Sequence, residues 1–115
     1  MNKLKIVCVC GSTRFSKEIA VYKWELEKQG IMAIGLHLLP ENYFSVQPSH
    51  QAEFEGVKDI LDNLHFRKID LATEVFVFNK NGYIGEQTGI EIVYAKIKGK
   101  EIEYLESIKE TNDGD

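Results

Sequence analysis

The chain has 115 residues, of which 43% are hydrophobic and 28% are charged, the composition of a globular protein. This length supports one domain with its own core and is too short for two. Because the formal net charge is −4, no basic surface field exists to hold a nucleic-acid polymer, although nucleotides as small ligands remain compatible with it.

The first part of the chain alternates strand and helix patterns. Residues 3–10 (KLKIVCVC) form a continuous apolar run before Gly11, which is typical of a buried parallel strand. Apolar residues then recur at helical spacing over 16–29, and Gly30 follows as a helix C-cap. A second apolar strand is predicted over 31–38.

A connection of about fourteen residues, 39–52, then contains both prolines. It is longer than most connections between secondary-structure elements, and such loops are often binding loops. Its aromatic pair, Tyr43 and Phe44, either stacks on a planar ligand or packs against the protein.

The second part of the chain continues the alternation. A helix is predicted over 53–71, a strand over 73–79, a helix over 89–98 and a strand over 101–105; the buried stripe of the first of these helices is Phe54, Val57, Leu61 and Leu64. This order predicts an α/β fold, a flavodoxin-like or Rossmann-like three-layer sandwich with a four- to five-stranded parallel sheet. Residues 1–105 form its single domain, and the acidic tail 106–115 is expected to fray.

The two cysteines, Cys8 and Cys10, fall on the same face of the first strand. Adjacent same-face positions along one strand rarely form a disulfide, so we predict buried free thiols. Without further Cys or His at ligand spacing, a CxC pair is a weak metal signal, and we predict neither a metal nor a cofactor. Free thiols, the lack of a signal sequence and the lack of a ~20-residue apolar stretch favour a cytoplasmic protein without a membrane partner.

The segment Gly11-Ser12-Thr13-Arg14 joins the first strand to the first helix. Its backbone amides, two hydroxyls and guanidinium would suit a phosphate or sugar. The same residues fit a tight turn with an N-cap serine equally well. The motif by itself leaves both interpretations open.

Glu91 lies between Ile90 and Ile92 near the start of the last predicted helix. In a parallel α/β sheet, the ends of strands and the starts of helices face the ligand crevice. We therefore expect a partly desolvated carboxylate whose ionisation the helix macrodipole favours, suited to attack an anomeric carbon. An exposed helix residue is the alternative.

Two motifs and the stretches between them carry a family resemblance. TGIEIVYA at 88–95 looks like the Thr…Glu-Leu-Gly-Tyr-Ala signature of the nucleoside 2-deoxyribosyltransferase superfamily. CGSTR at 10–14 is similar to the Gly-Ser-x-Arg loop of its hydrolase branch, the 2'-deoxynucleoside 5'-phosphate N-hydrolases. The stretch 61–79 and the turn at 82–85 resemble a small phage and bacterial subgroup. The similarity runs from residue 6 to residue 105.

The resemblance implies that Glu91 attacks C1' of a deoxynucleoside or its 5'-monophosphate, and that water or a second base resolves the resulting ester. The implied partner is a small-molecule nucleoside or nucleotide. The implied substrate-binding residues are Gly11, Ser12, Thr13, Arg14, Asn79, Tyr83, Gly85 and Thr88. With Tyr22 and Trp24 on one helix, a homodimer or higher homo-oligomer is compatible with the sequence.

The chain departs from the family at the second catalytic group. Where relatives commonly have an aspartate that orients the sugar or protonates the base, this chain has His65, with Asp62 one turn earlier. A histidine suits general-acid work because its pKa lies near neutrality, but a structural histidine is equally compatible. Asp70 directly precedes a strand and is expected to be structural, at the opposite end of the sheet.

Three functions remain compatible with these residues. An enzyme needs Glu91 and a proton donor beside it. A non-catalytic nucleotide-binding or sensing module needs only Arg14 and its loop, and a scaffold that has lost activity needs neither. The fold class does not discriminate between these alternatives, because one fold supports many functions.

Overall fold

The computed structural model describes residues 4–36 and 51–108, apart from the side chains of Gln51 and Phe54. Most of the predicted connection over 39–52 therefore lies outside the described residues, including the aromatic pair Tyr43 and Phe44. The end of the tail, from residue 109 onward, lies outside them too.

Strands and helices alternate along the described residues. They are β1 (Ile6–Gly11), α1 (Ser16–Glu27), β2 (Met32–Gly35), α2 (Gln51–Glu55), α3 (Lys58–Leu71), β3 (Glu74–Phe78), α4 (Glu86–Ile97) and β4 (Glu101–Tyr104). Single 3₁₀ turns, Thr13–Phe15 and Lys80–Gly82, lie in the connections that follow β1 and β3. None of the helices within the described ranges is long and apolar enough to cross a membrane.

The strands form one parallel sheet in the order β2-β1-β3-β4. This confirms the α/β, flavodoxin- or Rossmann-like fold predicted from the alternation of strands and helices. Because β1 pairs with both β2 and β3, the connection after β1 and the connection after β3 leave on opposite faces of the sheet. A crevice forms at the carboxyl ends of strands where connections diverge in this way.

The alternation of side chains along β1 divides the core into two layers. Val7 and Val9 belong to the apolar cluster that includes Ile19 of α1. Cys8 and Cys10 point to the other face and belong to a cluster with residues of α3 and α4. One helix therefore covers the first face of the sheet, and two helices cover the second.

The predicted helix over 53–71 is interrupted. Gly56 has a positive φ of 74°, and the chain there ends α2 before α3 begins at Lys58. The break changes the phase of the helix, so the buried stripe predicted across it is wrong at Leu64, whose exposed fraction is 47%. The buried positions of α3 are His65 and Ile69 instead.

The last helix begins three residues earlier than predicted, at Glu86. The amide of Gly89 donates to the carbonyl of Gly85 at 2.9 Å, so Gly89 lies inside the first turn and does not open the helix. Glu91 consequently lies in the second turn of α4. The electrostatic effect of a helix terminus is largely confined to its first turn.

We expect Gly35→Ala to lower the free energy of unfolding by at least about 3 kcal/mol, since a strained backbone and overpacking each contribute about 1–3 kcal/mol. Gly35 has a φ of 130°, and an added Cβ would lie 2.2 Å from the carbonyl oxygen of Val9. Urea unfolding measures the change.

Gly30→Ala is the matched control. Gly30 also has a positive φ, 83°, but nothing lies within 4 Å of the added Cβ. Gly30→Ala should therefore lower the free energy of unfolding by only roughly 1–2 kcal/mol, the cost of placing a residue with a Cβ in the left-handed region. Equal losses for the two variants would contradict the close contact between β2 and β1.

Candidate active site

A cleft of about 590 Å³ opens at the carboxyl ends of β1 and β3. The loop after β1, the cleft-facing side of α3 and the start of α4 bound it. All the predicted site residues except Asn79 line this cleft: Glu91, His65, Asp62, Gly11, Ser12, Thr13, Arg14, Tyr83, Gly85 and Thr88. The structure thus brings together residues that are up to 80 positions apart along the chain (from Gly11 to Glu91).

Glu91 lines the cleft from the inner side of α4, where only 6% of the residue is exposed. Burial raises the pKa of its carboxyl group, while the charge of His65 and a hydrogen bond from Gln87 act in the opposite direction. Glu91 lies in the second turn of α4, deeper than the helix start on which the expected macrodipole effect depends. Burial is therefore the largest influence on its pKa.

His65 faces Glu91 from α3. Its Nε2 atom lies 3.3 Å from Oε1 of Glu91, and only 7% of the residue is exposed. Burial opposes the charged imidazolium, but the hydrogen bond with Cys8 and the charge of Glu91 outweigh it and raise the pKa of His65. The imidazole and the carboxylate thus form a buried pair that joins the two helices covering this face.

The two cysteines lie directly behind this pair. Both are buried free thiols, as predicted. Sγ of Cys10 lies 3.2 Å, and Sγ of Cys8 lies 3.8 Å, from the same Nε2 of His65. The prediction that no Cys/His cluster exists at ligand spacing is therefore wrong, because the ligand-forming atoms of these three residues lie within 4.8 Å of one another.

The two thiols differ in acidity because they share a hydrogen bond. The hydrogen bond from Cys10 lowers the pKa of Cys8 to about 5, against the effect of burial and with help from His65. The same hydrogen bond, together with burial, raises the pKa of Cys10. The shared hydrogen bond thus makes Cys8 the more acidic of the two thiols.

The loop after β1 lines the same cleft as Glu91. The Ser12 hydroxyl accepts a hydrogen bond from the amide of Arg14 at 3.2 Å, so Ser12 caps the following 3₁₀ turn while it lines the cleft. The guanidinium of Arg14 lies 3.8 Å from the ring centroid of Tyr83. This cation–π contact joins the loops that follow β1 and β3.

Several residues of the cleft were not singled out from the sequence. Lys58 pairs with Asp62 at 2.6 Å, and Lys68 donates to the carbonyl of Gly35 at 2.7 Å; both lysines line the cleft. They lie on the side of α3 that carries His65, so helical spacing from His65 would have identified them once the phase of α3 was known. Gln87 is four residues before Glu91, the spacing at which helical side chains meet.

Two polar residues lie away from the cleft. The side chain of Asn79 donates to the carbonyl of Glu106 and accepts from its amide, both at 2.9 Å. Asn79 thereby ties the end of β3 to the segment after β4, and the structure does not bring it to the predicted substrate wall. Asp70 lies at the opposite end of the sheet, where it accepts a hydrogen bond from the Tyr94 hydroxyl at 2.7 Å.

Comparisons with protein-family models, with curated proteins and with solved structures give no match to this chain. The resemblance to nucleoside 2-deoxyribosyltransferases therefore rests on the sequence motifs. The function must be inferred from the residues of the cleft themselves.

We expect Asn79→Ala to lower the free energy of unfolding by about 2 kcal/mol, because it leaves both backbone partners on Glu106 without their hydrogen bonds. Asn79 is only 2% exposed, so water does not replace the lost amide freely. Thermal and urea unfolding measure the effect. Asn63→Ala, at an exposed position of α3, is the control and should change stability by less than about 0.5 kcal/mol.

Proposed function

We propose that this protein cleaves or exchanges the N-glycosidic bond of a deoxynucleoside or its 5'-monophosphate, with Glu91 as the nucleophile. The observation that carries the proposal is the buried carboxylate of Glu91, which lines the cleft and is paired with the imidazole of His65. A desolvated carboxylate with a specific partner in a cleft is a frequent mark of a functional site. The nucleotide partner and a cytoplasmic location belong to the same proposal.

In the first step, an oxygen of Glu91 attacks C1' of the sugar while the bond from C1' to the base nitrogen breaks. The electron pair of that bond leaves with the base, which takes up a proton. A deoxyribosyl ester of Glu91 results. In the second step, water or another base attacks C1', its proton returns to His65, the ester bond breaks, and Glu91 regains its carboxylate.

His65 is the proton donor in this scheme. Its Nε2 lies 3.3 Å from Oε1 of Glu91, and both residues line the cleft in which the base would be bound. The raised pKa of His65 favours the protonated ring that a proton donor needs. Asp62, one turn earlier on α3 and also in the cleft, is a second candidate for orienting the sugar, although Lys58 already holds its carboxylate.

The cationic side chains of the cleft support a substrate that carries a 5'-phosphate. Arg14, Lys58 and Lys68 all line the cleft, and a guanidinium can bind two phosphate oxygens at once. Ser12 and Thr13 add hydroxyl groups to the same wall. The 5'-monophosphate is therefore the preferred substrate in the proposal.

One observation favours a second candidate function, a non-catalytic nucleotide sensor. The carboxylate of Glu91 is engaged by both His65 and Gln87, as a purely structural buried acid would be. In that case the loop with Arg14 would bind the nucleotide without bond cleavage.

We expect Glu91→Gln to abolish release of the free base, because the amide cannot form the ester. His65→Asn should lower kcat by about 100-fold to 10,000-fold, the usual contribution of a general acid. Chromatography of the base released from a panel of deoxynucleosides and 5'-monophosphates, with and without a second base, measures both effects.

Glu101→Gln, at an exposed position of β4, is the control and should retain the wild-type rate. Exchange with the added base would identify a transferase, and release without exchange a hydrolase. Undiminished release by Glu91→Gln would contradict the nucleophile. A wild type that turns over no substrate but is thermally stabilised by nucleotides would support the sensor.

We expect Arg14→Gln to raise KM for 5'-monophosphates by about 10-fold to 100-fold, equivalent to the roughly 1.5–3 kcal/mol of a charged hydrogen bond. KM for the unphosphorylated nucleosides should change much less. Initial rates on matched nucleoside and monophosphate pairs measure the difference. Lys17→Gln, at an exposed position of α1, removes the same charge nearby and is the control. An equal rise in KM in this variant would indicate a long-range effect of charge and would contradict direct contact between Arg14 and the phosphate.

A further inference from the structure

Three side-chain atoms converge on one ring nitrogen. Nε2 of His65 lies 3.2 Å from Sγ of Cys10, 3.3 Å from Oε1 of Glu91 and 3.8 Å from Sγ of Cys8. A ring nitrogen has a single hydrogen-bonding direction, as donor or as acceptor. Because all four residues are buried, water cannot freely satisfy the partners that lose this competition. A single group placed between these atoms would serve several of them at once.

The three distances that meet at Nε2 suit a tetrahedral zinc ion. With Zn–S of about 2.3 Å and Zn–N or Zn–O of about 2.0–2.1 Å, the sulfur and nitrogen ligands of one ion lie about 3.5 Å apart, and the nitrogen and oxygen ligands about 3.3 Å apart. The distances that meet at Nε2 match these values within a few tenths of an ångström. The sulfur and nitrogen atoms of the three residues all lie within 4.8 Å of one another.

We propose that Cys8, Cys10 and His65 bind Zn²⁺, and that the carboxylate of Glu91, which lies 3.3 Å from Nε2 of His65, moves to the fourth position. Two thiolates and an imidazole select zinc over magnesium or calcium, which prefer oxygen ligands. His65 and Glu91 line the cleft, so the ion reaches the cysteines from that side.

Binding releases protons, because zinc coordinates thiolates and the neutral imidazole. Any proton on the two sulfur atoms and the proton of His65 Nε2 leave to solvent, and the ion takes their place between the four ligands. Two thiolates and one carboxylate around Zn²⁺ leave a net charge of −1 on the site. The ammonium of Lys68 donates a hydrogen bond to the carbonyl of Gly35. Its positive charge favours the thiolate form of Cys8.

Zinc at this site has a consequence that rests on the proposed function. A carboxylate that coordinates the ion cannot also attack C1' of a sugar, and His65 then has no proton to donate at Nε2. The zinc-loaded protein is therefore the inactive form of the enzyme. Binding of the metal itself does not depend on that function.

The test uses the full chain, free of affinity tag, reduced and stripped of metal. Zn²⁺ is titrated in competition with a chromophoric chelator, and Co²⁺ serves as the spectroscopic substitute. We expect one ion per chain, a tetrahedral Co²⁺ spectrum and thiolate-to-cobalt charge-transfer absorption. Cys8→Ser and Cys10→Ser should each reduce that absorption and weaken zinc binding by more than the roughly 10–100-fold typical of outer-shell partners.

The chain has three histidines, and His37 and His50 lie outside the described residues. A His37→Gln, His50→Gln double variant is the matched control and should bind zinc like the wild type. Asp62→Asn, which alters a different acid of the cleft, should do the same. Loss of binding in the double variant would move the site away from the cluster and overturn the proposal.

The wild type alone decides the matter even where a cysteine variant fails to fold. A wild type that binds no zinc, or whose Co²⁺ complex lacks the thiolate absorption, overturns the proposal. Base release has no part in these readouts. Failure of the glycosidic reaction and failure of the metal site are thus distinguishable.

Discussion

The parallel pairing of β1 with β3 is the constraint on which the cleft depends. Gly11 pairs with Phe78 at the end of this ladder, and a Cβ on Gly11 would lie 3.2 Å from Cβ of Phe78. The two strands therefore end side by side, and their connections diverge from one point. The contact between Arg14 and Tyr83 then joins those connections across the cleft.

The polar cluster beneath the cleft interrupts a core layer that is otherwise apolar. Burying a carboxylate is costly unless a partner accompanies it, and here the imidazole of His65 is that partner. Two cysteines occupy the adjoining positions on β1, where valines fill the opposite face of the same strand. Because this face of β1 carries thiols and the opposite face carries valine side chains, the site is chemically distinct from the rest of the core.

Sequence patterns predicted the elements well where local periodicity controls them. The apolar run over 3–10 correctly predicted the strand β1, and the helical spacing before Gly30 correctly predicted the helix α1. Both signals are contained within a few residues. The helix over 53–71 was predicted as continuous because its stripe spans Gly56, and a tertiary break there shifted the buried face to His65. Most of the proposed site was predictable because it lies at strand ends and helix starts, whereas Asn79 has the right position but turns toward Glu106.

The sequence by itself determined the order of strands and helices, the shared face of Cys8 and Cys10, and the place of Glu91 after a parallel strand. Only the tertiary structure decided that these thiols, His65 and Glu91 meet. The cysteines are 55 and 57 residues from His65, and local periodicity carries no information about contacts at that separation. The phase of α3, which begins after the break at Gly56, turns His65 toward the sheet and brings the imidazole to them.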